Sequence, residues 1–469
     1  MKEYKNILII GAGIAGQLLK EDIEKKHPLC KVIGFVDDQN KNGDKILGAI
    51  KDLGKINKVY KVDEMIIAIP SADGSLIRQI VMNCLKSKTP LRIVPRSQKI
   101  IKLNDVKYSE VKNLEAEDFL GRPFFKSNVK ILANYYKNKK IFITGGAGSI
   151  GSEIVNQLID IGAKKVIIFD NSEYLIFTLD QRLKERSIPQ NKYKLIIGSI
   201  LNKTKLNKII KNEKPDIIFH VAAYKHVYLM EDNIDEAVSN NIIGSKNVID
   251  TAVENRIKNF VFVSTDKVVH PTSIMGATKK ITEYYIKKVS EKSFTKFNIV
   301  RFGNVINSNG SVLPIFERQI KEQKFLTVTH KDVKRFFMSI REAAYLVINS
   351  LTMGKGGEIF IFNMGDVINI YEVALCLIRS KNLLPGEDIE VRFIGLKKGE
   401  KMVEELFTET EKSNMVKTKT KNIFLLKNFE KPKFDIDEAI ENFKKLISNN
   451  ADQQKMRLYF TKLFSSLKL

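Results

Sequence analysis

Cysteine is scarce in this chain: Cys30, Cys84 and Cys376 are the only three in 469 residues. Their wide separation excludes a disulfide framework and a CxxC metal pair, and it fits a reducing cytoplasm. Histidine is scarce as well. Five are present and none forms an HExxH pair, so no zinc or other metal site is expected. Acidic residues number 54 against 78 basic ones, for a net charge of +24. The basic excess is spread along the whole chain, with no block and no aromatic-interleaved motif. It reads as bias in a Lys-, Ile- and Asn-rich composition and not as nucleic-acid or anionic-membrane binding. An acidic, phosphate-bearing substrate also suits it. No run of 18 uninterrupted apolar residues exists, so no transmembrane helix is expected. Nor is a signal peptide, because Ile7–Gly16 is broken by glycines and leads into a charged helix.

What is present is apolar content of 43%, enough for full cores, and length enough for two or three domains. The first hundred residues read as a small α/β unit. Asn6-Ile7-Leu8-Ile9-Ile10 is an unbroken apolar run, as expected of a strand buried on both faces. Gly11-Ala12-Gly13-Ile14-Ala15-Gly16 then opens a helix, and a second strand ends at Asp37-Asp38. That is a dinucleotide fingerprint with its ribose-binding acid, although the same glycines also serve tight strand–helix packing. Met65–Pro70 and Leu91–Pro95 supply further strands. Residues 101–136 carry no sheet pattern and read as a connector. Within it, Leu114–Pro123 is a short helix stopped by Gly121 and Pro123.

A second unit begins at Lys140-Ile141-Phe142-Ile143-Thr144, followed by Gly145-Gly146-Ala147-Gly148-Ser149-Ile150-Gly151. Such a loop turns backbone amides and a helix N-terminus toward a pyrophosphate. The next strand ends at Asp170, where a carboxylate accepts ribose hydroxyls and repels a 2′-phosphate, so NAD is expected over NADP. Asp216–His220 leads to Val221-Ala222-Ala223, small enough for a cofactor to lie against the backbone. Phe260–Val263 is a strand that ends on Ser264-Thr265-Asp266-Lys267, with Met275-Gly276-Ala277-Thr278-Lys279 following. Residues at the carboxyl ends of such strands form the site in open α/β sheets. An acid, an amine and a cofactor-orienting lysine are therefore expected beside a dinucleotide. That set suits the removal of water from a sugar.

On these motifs the sequence resembles the extended short-chain dehydrogenases/reductases. More narrowly, it resembles the nucleoside-diphosphate-sugar 4,6-dehydratases of surface polysaccharide and protein-glycan synthesis. Further carriers of the resemblance are Ala222–Val227, Asn241, Arg301-Phe302-Gly303-Asn304-Val305, Thr327–His330 with Arg335–Met338, and Gly399-Glu400-Lys401. It covers roughly residues 1–430. The family at large uses Tyr-x-x-x-Lys; here Met275 stands in the tyrosine position, four residues before Lys279. A long subgroup carries methionine there, including UDP-N-acetylglucosamine 4,6-dehydratases that retain configuration at C5. Members of that subgroup often begin with several membrane helices, and this sequence has none, so a soluble form or a trimmed chain is expected. Ser199 in Gly198-Ser199-Ile200 stands where an adenine-facing aspartate is usual.

The implied fold is α/β, with two Rossmann-like doubly wound parallel-sheet domains in series. The second is an extended short-chain dehydrogenase/reductase with a small C-terminal substrate-binding part. The expected boundaries are 1–100 for the first domain, 101–136 for the connector, 137–430 for the catalytic domain and 431–469 for a lysine-rich helical tail. The resemblance implies a redox-neutral 4,6-dehydration in which bound NAD takes a hydride from sugar C4 and returns it to C6. Lys267 is the expected C5 base, with its pKa lowered by burial and a neighbouring cation. Asp266 is the expected acid for the departing C6 hydroxyl, protonated in an apolar enclosure. Thr265 is expected at the C4 oxygen. Met275 accepts no proton, which leaves Asp266 or a water on Thr265 to deprotonate the C4 hydroxyl. Lys279 holds the nicotinamide ribose.

Cofactor contacts are expected from Gly145, Gly148, Ser149, Ile150, Gly151, Asp170, Ser199, Ile200, Ala222, Ala223, Tyr224, Lys225, Asn241 and Lys279. Substrate contacts are expected from Lys225, His226, Asn304, Ser311, Arg335, Lys401 and Glu404, with Arg335 forking onto the diphosphate. The expected partner is a UDP-sugar, not nucleic acid, for a cytoplasmic homo-oligomer at most loosely associated with the inner face of the membrane. The competing readings are a sugar-nucleotide 4-epimerase and a non-enzymatic NAD-binding regulator.

Overall fold

The computed structural model describes residues 4–39, 45–95, 106–121, 129–418, 420, 422–427 and 430–467. The chain divides into two compact units. One comprises Met1–Phe125, Gly310–Phe337 and Ile368–Gly395; the other comprises Lys126–Asn309, Met338–Val367 and Leu396–Leu469.

The first unit is built on a six-stranded sheet. Its order runs Ile46–Gly48, Cys30–Val36, Lys5–Ile10, Glu64–Ile67, Leu91–Ile93, Lys112–Asn113. All neighbours pair parallel except the last two, which are antiparallel. That last strand lies in the stretch read as connector. At two residues, with no apolar run, it leaves no period for a sequence to display. The short helix of the connector forms over Ala116–Leu120 with Gly121 as its C-cap. Arg122 and Pro123 lie outside the described residues. In the same unit, helix Ile370–Ser380 packs on helix Gly74–Asn83, and strands Phe325–Val328 and Glu390–Phe393 pair in parallel. Arg379 is fully buried there and donates to Thr89 O at 3.0 Å and Leu383 O at 3.2 Å.

The second unit carries a nine-stranded sheet. From one edge its order is Tyr193–Ile197, Lys165–Asp170, Lys140–Thr144, Ile217–His220, Asn259–Val263, Lys296–Arg301 and Glu358–Phe362, all parallel. Two antiparallel strands, Ile423–Leu426 and Met415–Lys417, complete it. The chain order reverses between Lys140–Thr144 and Ile217–His220. Doubly wound sheets open a ligand crevice at that reversal, outside the carboxyl ends of the strands. The central parallel strands are buried on both faces, which is why they read as mostly Ile, Val and Phe runs. The helical tail forms Ile436–Ser448 and Gln453–Leu463. Ile440, Phe443, Met456 and Phe460 join the same core as helix Ile274–Ser290.

Candidate active site

The glycine loop is shaped by close backbone approach. Gly145 has φ +64°, and a Cβ there would sit 2.6 Å from Ala222 N. A Cβ at Gly151 would lie 2.1 Å from Gly145 O. Only glycine lets the loop fold under helix Ser149–Asp160 and against the Ala222–Ala223 segment. No side chain caps that helix at Gly148. The first N–H groups of an α-helix have no intrahelical partner, and such an end favours an anion. Asp170 is buried, and its carboxylate accepts from Ala147 N at 3.1 Å and Ser172 N at 3.0 Å. The acid of the fingerprint thus fastens the glycine loop to the neighbouring strand. Ser199 Oγ accepts from Leu201 N at 3.2 Å, while Ile200 is a buried core residue.

Asn241 lies in a π-helical stretch, Val238–Gly244, and is fully buried. It accepts from Tyr224 N at 2.9 Å and donates to Tyr224 O at 3.0 Å and Thr278 Oγ1 at 3.2 Å. It therefore ties the loop after Ile217–His220 to helix Ile274–Ser290. π-Bulges of this kind concentrate at functional sites. Lys225 Nζ donates to Ser308 Oγ at 3.3 Å, and burial lowers its pKa. Burial also lowers His226, helped by the Lys225 and Lys397 charges.

Thr265, Asp266 and Lys267 follow strand Asn259–Val263 after Ser264. Ser264 N and Asp266 N continue the ladder onto Val300 O at 2.8 Å and Phe302 O at 3.1 Å. Thr265 Oγ1 donates to Asp266 Oδ1 at 2.8 Å. Lys267 Nζ donates to the same oxygen at 3.0 Å and to Asn304 Oδ1 at 3.2 Å. Asp266 is 1% exposed, and its Oδ2 meets no partner among the described residues. Burial, assisted by the Glu404 charge, pushes its carboxyl above the usual range against the pull of Lys267. Two charged partners of Lys267 are carboxyls, Asp266 at 3.0 Å and Glu404 at 3.4 Å. Helix Ile274–Ser290 comes close enough that a Cβ at Gly276 would meet Lys267 O at 2.3 Å. Met275 is buried in the core, where its carbonyl accepts from Thr278 Oγ1 at 2.7 Å.

Lys279 is buried, donates to Val263 O at 3.0 Å and lies over the Phe262 ring at 4.5 Å. Burial pushes its amine down to about 7 from an ordinary 10.5. Between those values the unfolded chain holds a proton that the folded one has released, so this group makes stability rise with pH. Chemical denaturation of Lys279→Met at pH 7 and pH 9 should show a smaller rise than the wild type. An equal rise in both proteins would contradict the assignment.

Lys401 Nζ donates to Val269 O at 2.8 Å, and Glu404 Oε1 is 3.4 Å from Lys267 Nζ. Ser311 and Arg335 belong to the first unit, where both are at least partly buried.

Three buried acids escaped sequence reasoning. Glu283 accepts from Arg301 Nε at 2.7 Å, Arg301 Nη2 at 2.6 Å and Ser264 Oγ at 2.7 Å. Glu411 takes the remaining Arg301 nitrogen at 2.8 Å. Glu283 lies one turn after Lys279 on the same helix, a spacing that could have flagged it. Glu231 accepts from Ile274 N at 2.7 Å and pairs with Arg457 of the tail at 2.7 Å. A partner 226 residues away leaves no local signal.

Residues 141–451 match the family described as polysaccharide biosynthesis protein, and residues 1–95 match a CoA-binding domain. The capsular polysaccharide biosynthesis protein CapD of Staphylococcus aureus is 35% identical over 418 residues, 87% of this chain and 69% of CapD. A UDP-glucose 4-epimerase of Rickettsia bellii is 34% identical over 284 residues, 59% of this chain and 80% of the epimerase. The X-ray structure of Pen from Bacillus thuringiensis superposes with a TM-score of 0.58 at 34% identity, covering 67% of this chain and 99% of Pen. With two largely parallel Rossmann-like sheets, the glycine loop and these relatives, the chain belongs to the polysaccharide biosynthesis protein family, on the extended short-chain dehydrogenase/reductase fold.

Proposed function

We propose that this protein is an NAD-dependent UDP-N-acetylglucosamine 4,6-dehydratase that makes a UDP-4-keto-6-deoxy sugar for surface polysaccharide or glycoprotein glycans. The observation that carries the reading is the Asp266–Lys267 pair. A buried carboxyl that favours its proton stands 3.0 Å from an amine at the end of a central strand. Elimination of water needs one group to take a proton and another to give one, and adjacent Lys and Asp supply both.

The residues around the crevice fit NAD. The uncapped helix start at Gly148 suits a pyrophosphate, and Asp170 suits unphosphorylated ribose hydroxyls. Bound there, NAD supplies a hydride acceptor for sugar C4 and a donor for C6. Lys267 removes the C5 proton that the C4 ketone has acidified. Asp266 delivers a proton to the C6 hydroxyl as it leaves. Thr265 holds the C4 oxygen, and Lys279 the nicotinamide ribose. We assign the reaction to the span 137–430, with 1–100 as an attached Rossmann-like domain whose sheet is completed by Lys112–Asn113 of the linking stretch, and 431–469 as a supporting tail. A UDP-sugar is the partner. Among the described residues no helix is long and apolar enough to cross a membrane.

A 4-epimerase is the second reading, favoured by the Rickettsia bellii relative. Mass separates the two. Incubated with UDP-N-acetylglucosamine and no added cofactor, the protein should give a product lighter by one water; an unchanged mass with an inverted C4 would establish the epimerase. Denatured protein should release NAD, and a predominance of NADP would refute the role given to Asp170.

A further inference from the structure

The C-terminal tail meets the rest of its unit in two ways. Met456, Phe460, Phe464 and Leu467 join the core that contains Ile274 and Met275. Apolar packing of that kind is non-directional and leaves the register of the tail open. Hydrogen bonds set it. Arg457 Nη2 donates to Glu231 Oε2 at 2.7 Å and to Glu231 O at 3.0 Å. Gln453 Oε1 accepts from Ile234 N at 2.6 Å, and Gln453 Nε2 donates to Asp235 Oδ1 at 2.7 Å. Ser466 Oγ donates to Pro271 O at 2.7 Å.

Two of these contacts act on one short stretch. Residues 269–273 join the Asp266–Val268 turn to helix Ile274–Ser290. The first N–H groups of a helix have no partner within it. Here Glu231 Oε1 takes that of Ile274 at 2.7 Å, and Ser273 Oγ takes that of Gly276 at 3.1 Å. A carboxylate at a helix start is also favoured by the helix dipole. Glu231 is 4% exposed, and a carboxylate so buried needs a paired charge, which Arg457 brings from the tail. On the other side Thr272 Oγ1 donates to Gly399 O at 3.3 Å, and a Cβ on Gly399 would come within 2.9 Å of Glu231 Oε1 and of Ser273 Cβ. The stretch is therefore held at Pro271, Thr272 and Ile274. The helix start it leads into touches the proton-handling turn, since a Cβ at Gly276 would lie 2.3 Å from Lys267 O. One turn further on stands Lys279. A displaced helix start moves Lys267 and Lys279 together.

We propose that the tail is a clamp on residues 269–274, with Arg457 and Glu231 as positioning residues that hold Lys267 and Lys279 in place without touching the sugar nucleotide. The effect on turnover rests on the dehydratase reading, whereas the grip on the stretch does not.

The test uses the full chain and the variants Arg457→Met, Arg457→Lys, Ser466→Ala and Tyr459→Phe. Tyr459→Phe removes the 3.1 Å bond from Asn442 that joins the two tail helices and leaves the clamp contacts alone. Amide hydrogen exchange over residues 271–276 is read by mass spectrometry, and kcat and KM are measured for UDP-N-acetylglucosamine. Arg457→Met should speed exchange there and lower kcat roughly 10²-fold, the cost of about 1 Å of misplacement, with KM little changed. Arg457→Lys still brings a cation to Glu231 and should recover most of the loss. Ser466→Ala should act in the same direction and less; it serves if Arg457→Met does not fold. Tyr459→Phe should match the wild type. Unchanged exchange in both Arg457→Met and Ser466→Ala overturns the proposal, whether or not product forms. So does an equal effect of Tyr459→Phe, which would leave only tail packing, or a raised KM at unchanged kcat. If exchange responds but the wild type makes no dehydrated product, the clamp stands and the dehydratase reading falls.

Discussion

Lys267→Ala should abolish proton exchange at sugar C5 while leaving the cofactor bound. Lys267 Nζ is held by Asp266, Asn304 and Glu404 at 3.0, 3.2 and 3.4 Å, so its position is fixed before any substrate arrives. A general base held in this way contributes about 10²–10⁴-fold, and the loss should be of that order. Glycine loop, Asp170 and Lys279 are untouched by the substitution, so nucleotide content should stay at the wild-type level. The assay is incorporation of solvent deuterium at C5 of UDP-N-acetylglucosamine, read by mass spectrometry. Undiminished incorporation in the variant would remove Lys267 from the base role. Loss of cofactor along with activity would show that the lysine mainly holds the crevice together.

The second large effect concerns stability. Glu283→Ala should be among the most damaging single substitutions in the chain. Glu283 and Arg301 are both fully buried, and the carboxylate accepts two guanidinium nitrogens and the Ser264 hydroxyl. Removing it leaves the Arg301 charge with Glu411 alone. Stranding one member of a buried pair costs about 3–5 kcal/mol, well beyond a typical point substitution. The exposed pair Lys203–Glu254 is the internal control, worth at most about 1 kcal/mol. Denaturant unfolding of Glu283→Ala and Glu254→Ala should show this contrast. Equal midpoints for the two would mean that the triad adds nothing. Ser264 precedes Thr265 directly, so a loosened Glu283 also loosens the residues that are to handle protons.

How far the fold can be read before folding depends on where its signals lie. The central strands of both sheets are legible because parallel strands buried on two faces are mostly apolar. Lys140–Thr144 is found where its five letters predict it, and the other expected strands agree to within a few residues. Asp170 and Asp266 are legible by position, as charges that end an apolar run. Lys112–Asn113 is not, since two residues on a sheet edge carry no period. Nor are Glu231 with Arg457, or Glu404 with Lys267. Each joins residues more than a hundred positions apart, and only the folded chain brings them together. The resemblance pointed to Glu404 as a substrate contact, and the fold sets its Oε1 3.4 Å from Lys267 Nζ.

The first compact unit takes its parts from three separate stretches, the last of which ends at Gly395. That has a consequence for biosynthesis. A ribosome adding about 5–20 residues per second needs roughly a quarter of a minute to a minute to travel from the first of these stretches to the last. During that interval the face of helix Gly74–Asn83 that helix Ile370–Ser380 will cover is open to the cytosol. The nascent chain therefore passes through a long stage with apolar surface on view, where chaperone capture and self-association compete with completion. Slow translation between residues 125 and 370 lengthens that stage, and the yield of folded protein should fall with it.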